Sequence, residues 1–478
     1  MSGSGVGRAG ASVAVVGGGL AGLAAAAAAR QHGLAVALFE ARPRLGGRAR
    51  SFRDPQSGDW IDHGQHVAMG CCTNLADFCR RTGIAGAFHR HRRLHFIGPA
   101  GTRHDFSPAR WLPAPLHLLP GLLGLRYLPL KDRLGIAAGI MRLASRAGKD
   151  PTDSLAVGPW LRRQKQSEQA ITEFWSVVLV SALSETVDRA SLCAARKVFL
   201  DGFLASAAAH ELLIPGLPLS ELFDCRVGAW LEAQGVEVHR GTRVRRIEGD
   251  HGRAQSLLMA DGSRRTFDCF VAAVPWRRVG RLLAEPLLRA VPGLDQLDRI
   301  LPAPITAVHL WLDRPLTPLP HAVLVGRLGQ WLFNHGPRPL AQDAAQTGHY
   351  GQVVISASHA LKGQSREEIA GRVRADLEAI WPEARQARLL HSRVVTEPEA
   401  VFSIQPGLDG LRPPQQTPVA NLVLAGDWTA TGWPATMEGA VRSGYLAAGA
   451  ILETLGIDRP ALAPDLPRGW LARRVLGT

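Results

Sequence analysis

Short apolar runs and helical segments alternate in the first forty positions of the chain. Residues 13–16 are uninterrupted apolar positions, residues 24–29 are all alanine, and residues 36–39 form a second apolar run. Apolar runs of this length are typical of strands that are buried on both faces of a parallel sheet. The pattern therefore predicts a strand, a helix and a second strand in this part of the chain.

The same alternation returns further along. Residues 222–231 are predicted as a helix, 235–240 and 242–247 as strands, and 259–270 as a hairpin that turns at Asp261-Gly262. Apolar runs also occupy 271–275 and 422–425, and a helix is predicted to begin near Met437. Strands and helices in this order predict an α/β fold whose sheet is assembled from distant parts of the chain.

Three glycines follow the first apolar run at a spacing that has a physical cause. Gly17, Gly19 and Gly22 form G-x-G-x-x-G, which allows a tight turn, close approach to a pyrophosphate, and close packing of the helix on the sheet. Glu40 ends the second run, where a carboxylate would bind a ribose hydroxyl and repel an additional phosphate. The segment therefore predicts a site for FAD or NAD. A signal peptide or membrane anchor is disfavoured, because glycines interrupt the apolar run.

A basic glycine loop follows directly. Arg44, Gly46, Gly47 and Arg48 suit a diphosphate, which the loop's backbone and guanidinium groups would hold from the other side. The run E-A-R-P-R-L-G-G-R-A-R-S from Glu40 resembles the flavin amine oxidase superfamily. That resemblance implies a GR2-type fold, in which a Rossmann-like FAD-binding domain is interleaved with an α+β substrate domain.

The run A-G-D-W-T followed by P-A-T-M-E-G-A-V-R-S-G, from Ala425, resembles the closing flavin motif of the same superfamily. The resemblance implies that Asp427 contacts the ribityl or phosphate portion, and that the helix near Met437 directs its amides at the flavin pyrimidine edge. Val244 is implied as an adenine contact. The complete set of predicted cofactor-binding residues is Gly17, Gly19, Leu20, Ala21, Gly22, Glu40, Ala41, Arg42, Gly46, Gly47, Arg48, Gly64, Gln65, His66, Val244, Ala273, Pro275, Gly426, Asp427, Thr436, Met437 and Glu438.

These motifs divide the chain. A discontinuous FAD-binding domain is predicted at 1–90, 220–280 and 416–456, and a substrate domain at 91–219 and 281–415. Residues 457–478 form a basic and apolar tail.

The element D-x-G-Q-H at residues 62–66 resembles the squalene-associated FAD-dependent desaturases, now regarded as hydroxysqualene dehydroxylases. This resemblance implies the reductive dehydroxylation of hydroxysqualene to squalene in hopanoid and squalene biosynthesis. Reduced FAD would supply hydride, an acid would protonate the hydroxyl, and the reductant of the flavin stays unknown. Asp62, His63, His66 and Glu438 are the candidate acids. The chain departs from the family's usual W-x-P-L at Ser176–Val178, and from A-L-N at Ser184.

Three other functions are considered. A carotenoid desaturase of the phytoene type would use the same scaffold in the oxidative direction. An amine oxidase normally has an aromatic residue immediately before M-E-G, where this chain has Thr436. A prenyl-binding escort protein would lack functional flavin, which the intact Arg48, Asp427 and Glu438 disfavour.

Composition adds limits on partners. The net charge of +14 accompanies dispersed basic residues with no nucleic-acid-binding module, so an anionic membrane surface is the predicted partner rather than nucleic acid. The six cysteines show no C-x-x-C pair and none follows Cys269, which predicts a reducing cytoplasm, no metal and non-covalent FAD. The chain is therefore expected in the cytoplasm, peripheral at the inner face of the membrane.

Two segments fit membrane contact. Residues 111–125 are uncharged and interrupted by three prolines, and residues 469–477 mix apolar side chains with two arginines. Each is predicted either to enter the membrane interface or to form an internal lid or core element.

Overall fold

The computed structural model describes residues 10–145, 153–340, 343–458 and 462–476. Residues 1–9 of the first predicted cofactor segment, 146–152 and 341–342 of the substrate domain, and 459–461 and 477–478 of the tail lie outside the described residues.

The strands follow one another in chain order and fall into five sheets. They are β1 (Ser12–Val16), β2 (Ala35–Phe39), β3 (Ser51–Arg53), β4 (Trp60–Asp62), β5 (Ala68–Met69), β6 (Phe88–His91), β7 (Leu94–Ile97), β8 (Arg103–Phe106), β9 (Leu212–Pro215), β10 (Glu237–His239), β11 (Val244–Gly249), β12 (Ala254–Met259), β13 (Arg264–Thr266), β14 (Cys269–Ala272), β15 (Pro302–Leu312), β16 (His321–Leu324), β17 (Trp331–Leu340), β18 (Asp343–Ser356), β19 (Leu389–Phe402) and β20 (Leu422–Leu424).

The α-helices lie between these strands. They are α1 (Leu20–Gln31), α2 (Thr73–Arg81), α3 (Leu119–Leu123), α4 (Leu130–Ala144), α5 (Val157–Arg163), α6 (Glu168–Ala170), α7 (Ser176–Leu183), α8 (Leu192–Phe199), α9 (Val227–Ala233), α10 (Trp276–Leu282), α11 (Glu285–Ala290), α12 (Arg366–Ile380), α13 (Pro382–Gln386), α14 (Met437–Thr454) and α15 (Trp470–Leu476). π-Helical turns precede α7 and α9 and follow α8, at Ile171–Trp175, Glu221–Arg226 and Leu200–Leu204.

The central sheet is parallel and has the order β10-β2-β1-β14-β20. Its strands come from three distant parts of the chain, as the apolar runs predict. The side chains of β1 and β14 are almost entirely buried, because helices cover both faces of a sheet of this kind. The predicted α/β fold is therefore confirmed.

A second, seven-stranded sheet has the order β19-β15-β18-β17-β16-β7-β8. It contains only strands from the predicted substrate segments. A small sheet with the order β5-β9-β6 joins strands from both sides of the predicted boundaries near 90 and 220. The division between the two regions is therefore bridged by hydrogen bonds, and the exact domain boundaries stay a prediction.

Residues 111–125 and α15 pack against each other. Ala114 shares a small buried cluster with Ala472 and Leu476 of α15, while Trp111 and Trp470 are 78% and 59% exposed. Leu118, Leu122 and Leu125 are buried in the main core. Each segment is thus part core and part exposed apolar surface. Within the described residues, no helix is both long and apolar enough to cross a membrane.

Candidate active site

A single large cavity brings the predicted cofactor residues together. Its volume is about 1230 Å³, which exceeds what one drug-sized ligand occupies. The predicted residues that line it are Gly17, Gly19, Leu20, Ala21, Glu40, Ala41, Arg42, Gly46, Gly47, Arg48, Gly64, Gln65, His66, Val244, Ala273, Pro275, Gly426, Asp427, Thr436, Met437 and Glu438.

Gly22 is the predicted cofactor residue that does not line the cavity. A Cβ atom at this position would lie 1.9 Å from the carbonyl oxygen of Gly17 and 3.3 Å from the Cβ atom of Ala273. Gly22 therefore allows α1 to pack closely on the sheet, which is the structural task that the third glycine of the motif has.

The turn between β1 and α1 forms one wall of the cavity. Gly17 has a φ of +115°, a conformation that a residue with a side chain rarely adopts. Gly19 begins α1 without a side-chain cap, and the first amides of a helix have no partner within the helix. The amide of Gly46 donates to the carbonyl of Gly18 over 2.8 Å, which brings the R-x-G-G-R loop beside this helix end. The two glycine segments thus build a cradle for an anion.

Glu40 lies at the carboxyl end of β2, at the edge of this cradle. Its carboxylate accepts hydrogen bonds from the amides of Gly18 over 2.7 Å and of Arg42 over 2.8 Å. These bonds fix the carboxylate beside the phosphate cradle, in the place where a ribose hydroxyl would be bound.

Arg48 links the two cofactor motifs across the cavity. Its guanidinium donates to the carboxylate of Asp427 over 2.5 Å and to the carbonyl of Ala400 over 2.9 Å. Asp427 is 3% exposed, so its carboxylate is buried, whereas the Arg48 side chain is 32% exposed. The pair holds the R-x-G-G-R loop and the closing motif at a fixed separation.

The closing motif presents a second helix end to the cavity. The side chain of Thr436 accepts from the amide of Gly439 and caps α14, while Met437 and Glu438 line the cavity. A helix N-terminus stabilises negative charge, such as the charge that accumulates on a reduced flavin. This position therefore fits the pyrimidine edge of FAD.

Gln65 supplies an independent test of fit. Its side-chain oxygen is buried at the cavity and has no hydrogen-bond partner in the described part of the chain. A buried polar atom of this kind normally has a partner. The cradle, the second helix end and this acceptor together fit a bound dinucleotide.

The candidate acids have different surroundings. Asp62 is buried outside the cavity lining and accepts from the Ser51 hydroxyl over 2.6 Å and the Leu219 amide over 3.0 Å. Burial raises the pKa of Asp62 to about 6. His63, which follows β4, lines the cavity, whereas Asp62 does not. The structure thus disfavours Asp62 as a proton donor to a substrate.

His66 and Glu438 do line the cavity. Burial lowers the pKa of His66, whose Nδ1 lies 2.9 Å from the carbonyl oxygen of Gly64. Burial raises the pKa of Glu438, but its oxygens accept from the amides of Asn74 and Leu75 at the start of α2. Glu438 therefore joins α14 to α2, and a catalytic role for His66 or Glu438 stays a prediction.

Two thiols also face the cavity. Cys71 and Cys72 are part of its lining, and the sequence analysis did not single them out. A hydrogen bond with Cys71, together with burial, raises the pKa of Cys72. A protonated thiol is a poor nucleophile, which agrees with the prediction of non-covalent FAD.

The rest of the cavity is bounded by what we call the apolar wall. This surface comes from β7, β8, the helices between 116 and 204, and β16 to β18. Its large side chains include Leu94, Phe96, Phe106, Leu116, Leu118, Leu122, Ile140, Met141, Phe174, Val177, Phe199, Phe203, Val323, Trp331 and Phe333.

One ion pair interrupts the apolar wall, and sequence reasoning missed it. The ammonium of Lys197 lies 2.7 Å from the carboxylate of Asp201 and 4.6 Å from the centre of the Trp433 ring. All three residues line the cavity. The available signal was a Lys and an Asp four positions apart in a largely apolar stretch.

The family comparison agrees with this geometry. Residues 20–452 match the family described as flavin containing amine oxidoreductase. The chain belongs to this family. Membership identifies it as an FAD-dependent oxidoreductase, confirming the predicted cofactor and the predicted superfamily.

Curated relatives include carotenoid desaturases. The chain is 27% identical to the 15-cis-phytoene desaturase of Synechococcus elongatus, with 92% of this chain and 95% of the relative covered. It is also 28% identical to a probable zeta-carotene desaturase of the same organism, with 93% and 99% covered. The tomato (Solanum lycopersicum) 15-cis-phytoene desaturase is 27% identical, with 92% of this chain and 77% of the relative covered.

Solved structures share the fold. An oxidoreductase from Methanosarcina mazei has a TM-score of 0.68 at 18% identity, with 91% of this chain and 98% of that chain covered. Cyclohexylamine oxidase from Brevibacterium oxydans has a TM-score of 0.67 at 20% identity, with 94% and 100% covered. At these identities the likeness supports the fold alone.

Proposed function

We propose that this flavoprotein transfers hydride between its FAD and a long apolar isoprenoid that lies in the cavity. The observation that carries the proposal is that the cofactor residues and the apolar wall line the same cavity. An apolar chain gains roughly 0.8 kcal/mol for each buried CH₂ group, so a long hydrocarbon would bind such a wall without many polar contacts.

The residues of the chain have three tasks in this reaction. The apolar wall excludes water, the cradle and the Arg48–Asp427 pair fix the dinucleotide, and the start of α14 stabilises negative charge at the flavin edge. FAD, when bound, supplies the hydride acceptor or donor.

The relatives favour the oxidative direction. In a desaturation of the phytoene type, two neighbouring carbons would lose a hydride and a proton and form a C=C bond. FAD, when bound in the cradle, would supply the hydride acceptor, and the proton would pass to solvent. The curated relatives include phytoene and zeta-carotene desaturases that match over most of this chain. Desaturation of a carotenoid precursor is therefore the first candidate.

Dehydroxylation of hydroxysqualene to squalene is the second candidate. Here the C–O bond would break and the hydroxyl would leave, protonated, as water. FAD, when bound in its reduced form, would supply the hydride for the new C–H bond. The D-x-G-Q-H element supports this candidate, as does the Lys197–Asp201 pair, since a pure hydrocarbon has no use for an ion pair in its wall.

Membrane contact is part of the proposal, because isoprenoids of this size reside in lipid. Six of the eight large apolar side chains exposed in the described residues belong to 111–134 and α15; we call them the exposed patch. They are Trp111, Leu116, Leu130, Leu134, Trp470 and Val475. Leu116 also lines the cavity, and Arg473 and Arg474 suit anionic headgroups. This patch would hold the protein, peripherally, at the inner face of the cytoplasmic membrane.

Two anaerobic incubations test the proposal. Photoreduced protein is mixed with hydroxysqualene, and oxidised protein with phytoene, and the lipid products are analysed by mass spectrometry. A desaturated carotenoid in the second mixture supports the first candidate, and squalene in the first mixture supports the second. Protein stripped of FAD serves as the control. If neither mixture gives product, or if the purified protein is colourless and does not bind FAD, the proposal is wrong.

A further inference from the structure

The Lys197–Asp201 pair places two charges in the apolar wall of the cavity. Between residues 94 and 204, Lys197 and Asp201 are the charged residues among the described residues that line the cavity. A Lys placed four residues before an Asp is the less favourable order for stabilising a helix, since it opposes the helix dipole. The two side chains are 29% and 33% exposed, so their polar atoms remain open to a ligand. The unfavourable order of the two charges and their open polar atoms are typical of a ligand-binding pair.

The local backbone aims the pair at the end of the cavity near the closing motif. Lys197 lies in α8, and Asp201 lies in the π-helical turn that follows it. Such turns are frequent at functional sites, because they alter the direction in which side chains leave the helix. The ammonium is 4.6 Å from the Trp433 ring, and Trp433 precedes the start of α14 by a few residues.

The chemistry of the pair selects one kind of ligand group. An ammonium has three donors, of which Asp201 uses one, and a carboxylate has further acceptor positions. A hydroxyl oxygen accepts from the free donors of the ammonium and carries no charge, so it binds beside Asp201 without repulsion. A diphosphate or a carboxylate would be repelled by Asp201, since the charge of Lys197 is already balanced.

We infer that Lys197 and Asp201 form a binding site for one hydroxyl group on an otherwise apolar isoprenoid, placed at the flavin end of the cavity. Lys197 is the specificity-determining residue that contacts the oxygen, and Asp201 is a positioning residue that orients the ammonium. This inference rests on the proposed function, since it requires an isoprenoid in the cavity.

The test uses two ligands that differ by a hydroxyl. FAD-loaded protein in detergent is titrated with hydroxysqualene and with squalene, and binding is followed by the change in flavin fluorescence. A hydrogen bond to a charged group predicts that the alcohol binds at least tenfold more tightly than the hydrocarbon. In Lys197→Met this preference is lost while squalene affinity is kept, because the apolar stem remains. Lys197→Arg retains part of the preference.

Two further variants separate the roles. Asp201→Asn is expected to reduce the preference less than Lys197→Met, and the double variant is expected to equal Lys197→Met alone, since Asp201 acts through Lys197. Lys362→Met is the matched control: Lys362 is exposed and does not line the cavity, so its variant should behave as the unaltered protein. FAD content and melting temperature are measured for each variant, and Lys197→Arg and Asp201→Asn decide the matter if Lys197→Met does not fold.

The outcomes distinguish this inference from the proposed function. If neither of these ligands, nor phytoene added in a parallel titration, changes the flavin signal, the proposed function fails. If both ligands bind equally well to the unaltered protein and to Lys197→Met, the hydroxyl site is wrong while the proposed function stands. Tighter binding of geranylgeranyl diphosphate than of either ligand would also overturn the hydroxyl site, because the pair would then have selected an anion.

Discussion

The cavity has two sides that are built by different means. On the cofactor side, the cavity is lined by short local motifs and by the backbone amides of helix ends, as after Gly19 and at the start of α14. On the apolar wall, side chains from widely separated elements meet, such as Leu116 and Phe333. The cofactor side therefore tolerates few substitutions, whereas the apolar wall depends on total volume and shape.

The largest effect is expected from a side chain at Gly22. In Gly22→Val the new atoms would overlap the carbonyl of Gly17, since even a Cβ atom would lie only 1.9 Å from it. We expect loss of bound FAD and of most soluble protein, measured by flavin absorbance and yield. Gly280→Ala is the control, because a Cβ atom there meets nothing within 4 Å. Normal FAD content in Gly22→Val would remove the packing argument for the cofactor side.

Asp62, which is buried beside the cofactor side, is expected to make the stability of the fold depend on pH. Its pKa of about 6 in the folded chain exceeds the 3.8 of an unperturbed Asp, so its stabilising contribution is complete below pH 4 and is lost as pH rises through 6. The loss amounts to roughly 3 kcal/mol for this group. Asp62→Asn should remove this contribution to the pH dependence of stability, because an amide does not titrate. The Asn oxygen can still accept both hydrogen bonds, since in Asp62 a single oxygen accepts them. Urea unfolding at pH 4 and pH 7 measures the pH dependence, and an equal dependence in both proteins would contradict this prediction.

Arg48 tests how far the cofactor side depends on one side chain. Arg48→Ala removes the pair with Asp427 and leaves that carboxylate buried, so we expect FAD affinity to fall by about 10- to 100-fold. Titration of the FAD-free protein with FAD measures the change. Arg50→Ala is the control, because Arg50 is absent from the cavity lining and its pair with Glu397 is longer, at 3.4 Å. An unchanged affinity in Arg48→Ala would show that FAD binding does not depend on the Arg48 side chain.

The smallest effect is expected from the exposed patch. Trp111→Ser with Trp470→Ser removes two exposed rings of the exposed patch, and we expect about tenfold weaker binding to vesicles that contain anionic lipid. Co-sedimentation measures the partition. Trp60→Ser is the control, because Trp60 is also exposed, at 42%, but lies on the cofactor side under Arg44. Equal losses in both variants would mean that the exposed patch has no special role.

The residues that the sequence predicts to bind the cofactor, with the exception of Gly22, line one cavity. Gly17, Glu40 and Asp427 occupy the positions that their motifs imply, because turn geometry and helix ends are determined by neighbours in the chain. Asp62, a predicted acid, lies outside the cavity lining, whereas the neighbouring His63 lines it. The sequence did not predict the contact between Lys197 and Trp433, because it depends on how distant segments pack.

The strands of the central sheet are synthesised far apart in time, and this affects how the chain can fold during translation. Its edge strand β20 and its covering helix α14 come from the last quarter of the chain, yet they complete the layer that β1 begins. A nascent polypeptide leaving the ribosome must therefore keep its earliest apolar strands soluble until almost everything else has been translated. Since translation proceeds at about 5–20 residues per second, that interval lasts tens of seconds. During it the unpaired apolar strands of the growing chain are prone to aggregation.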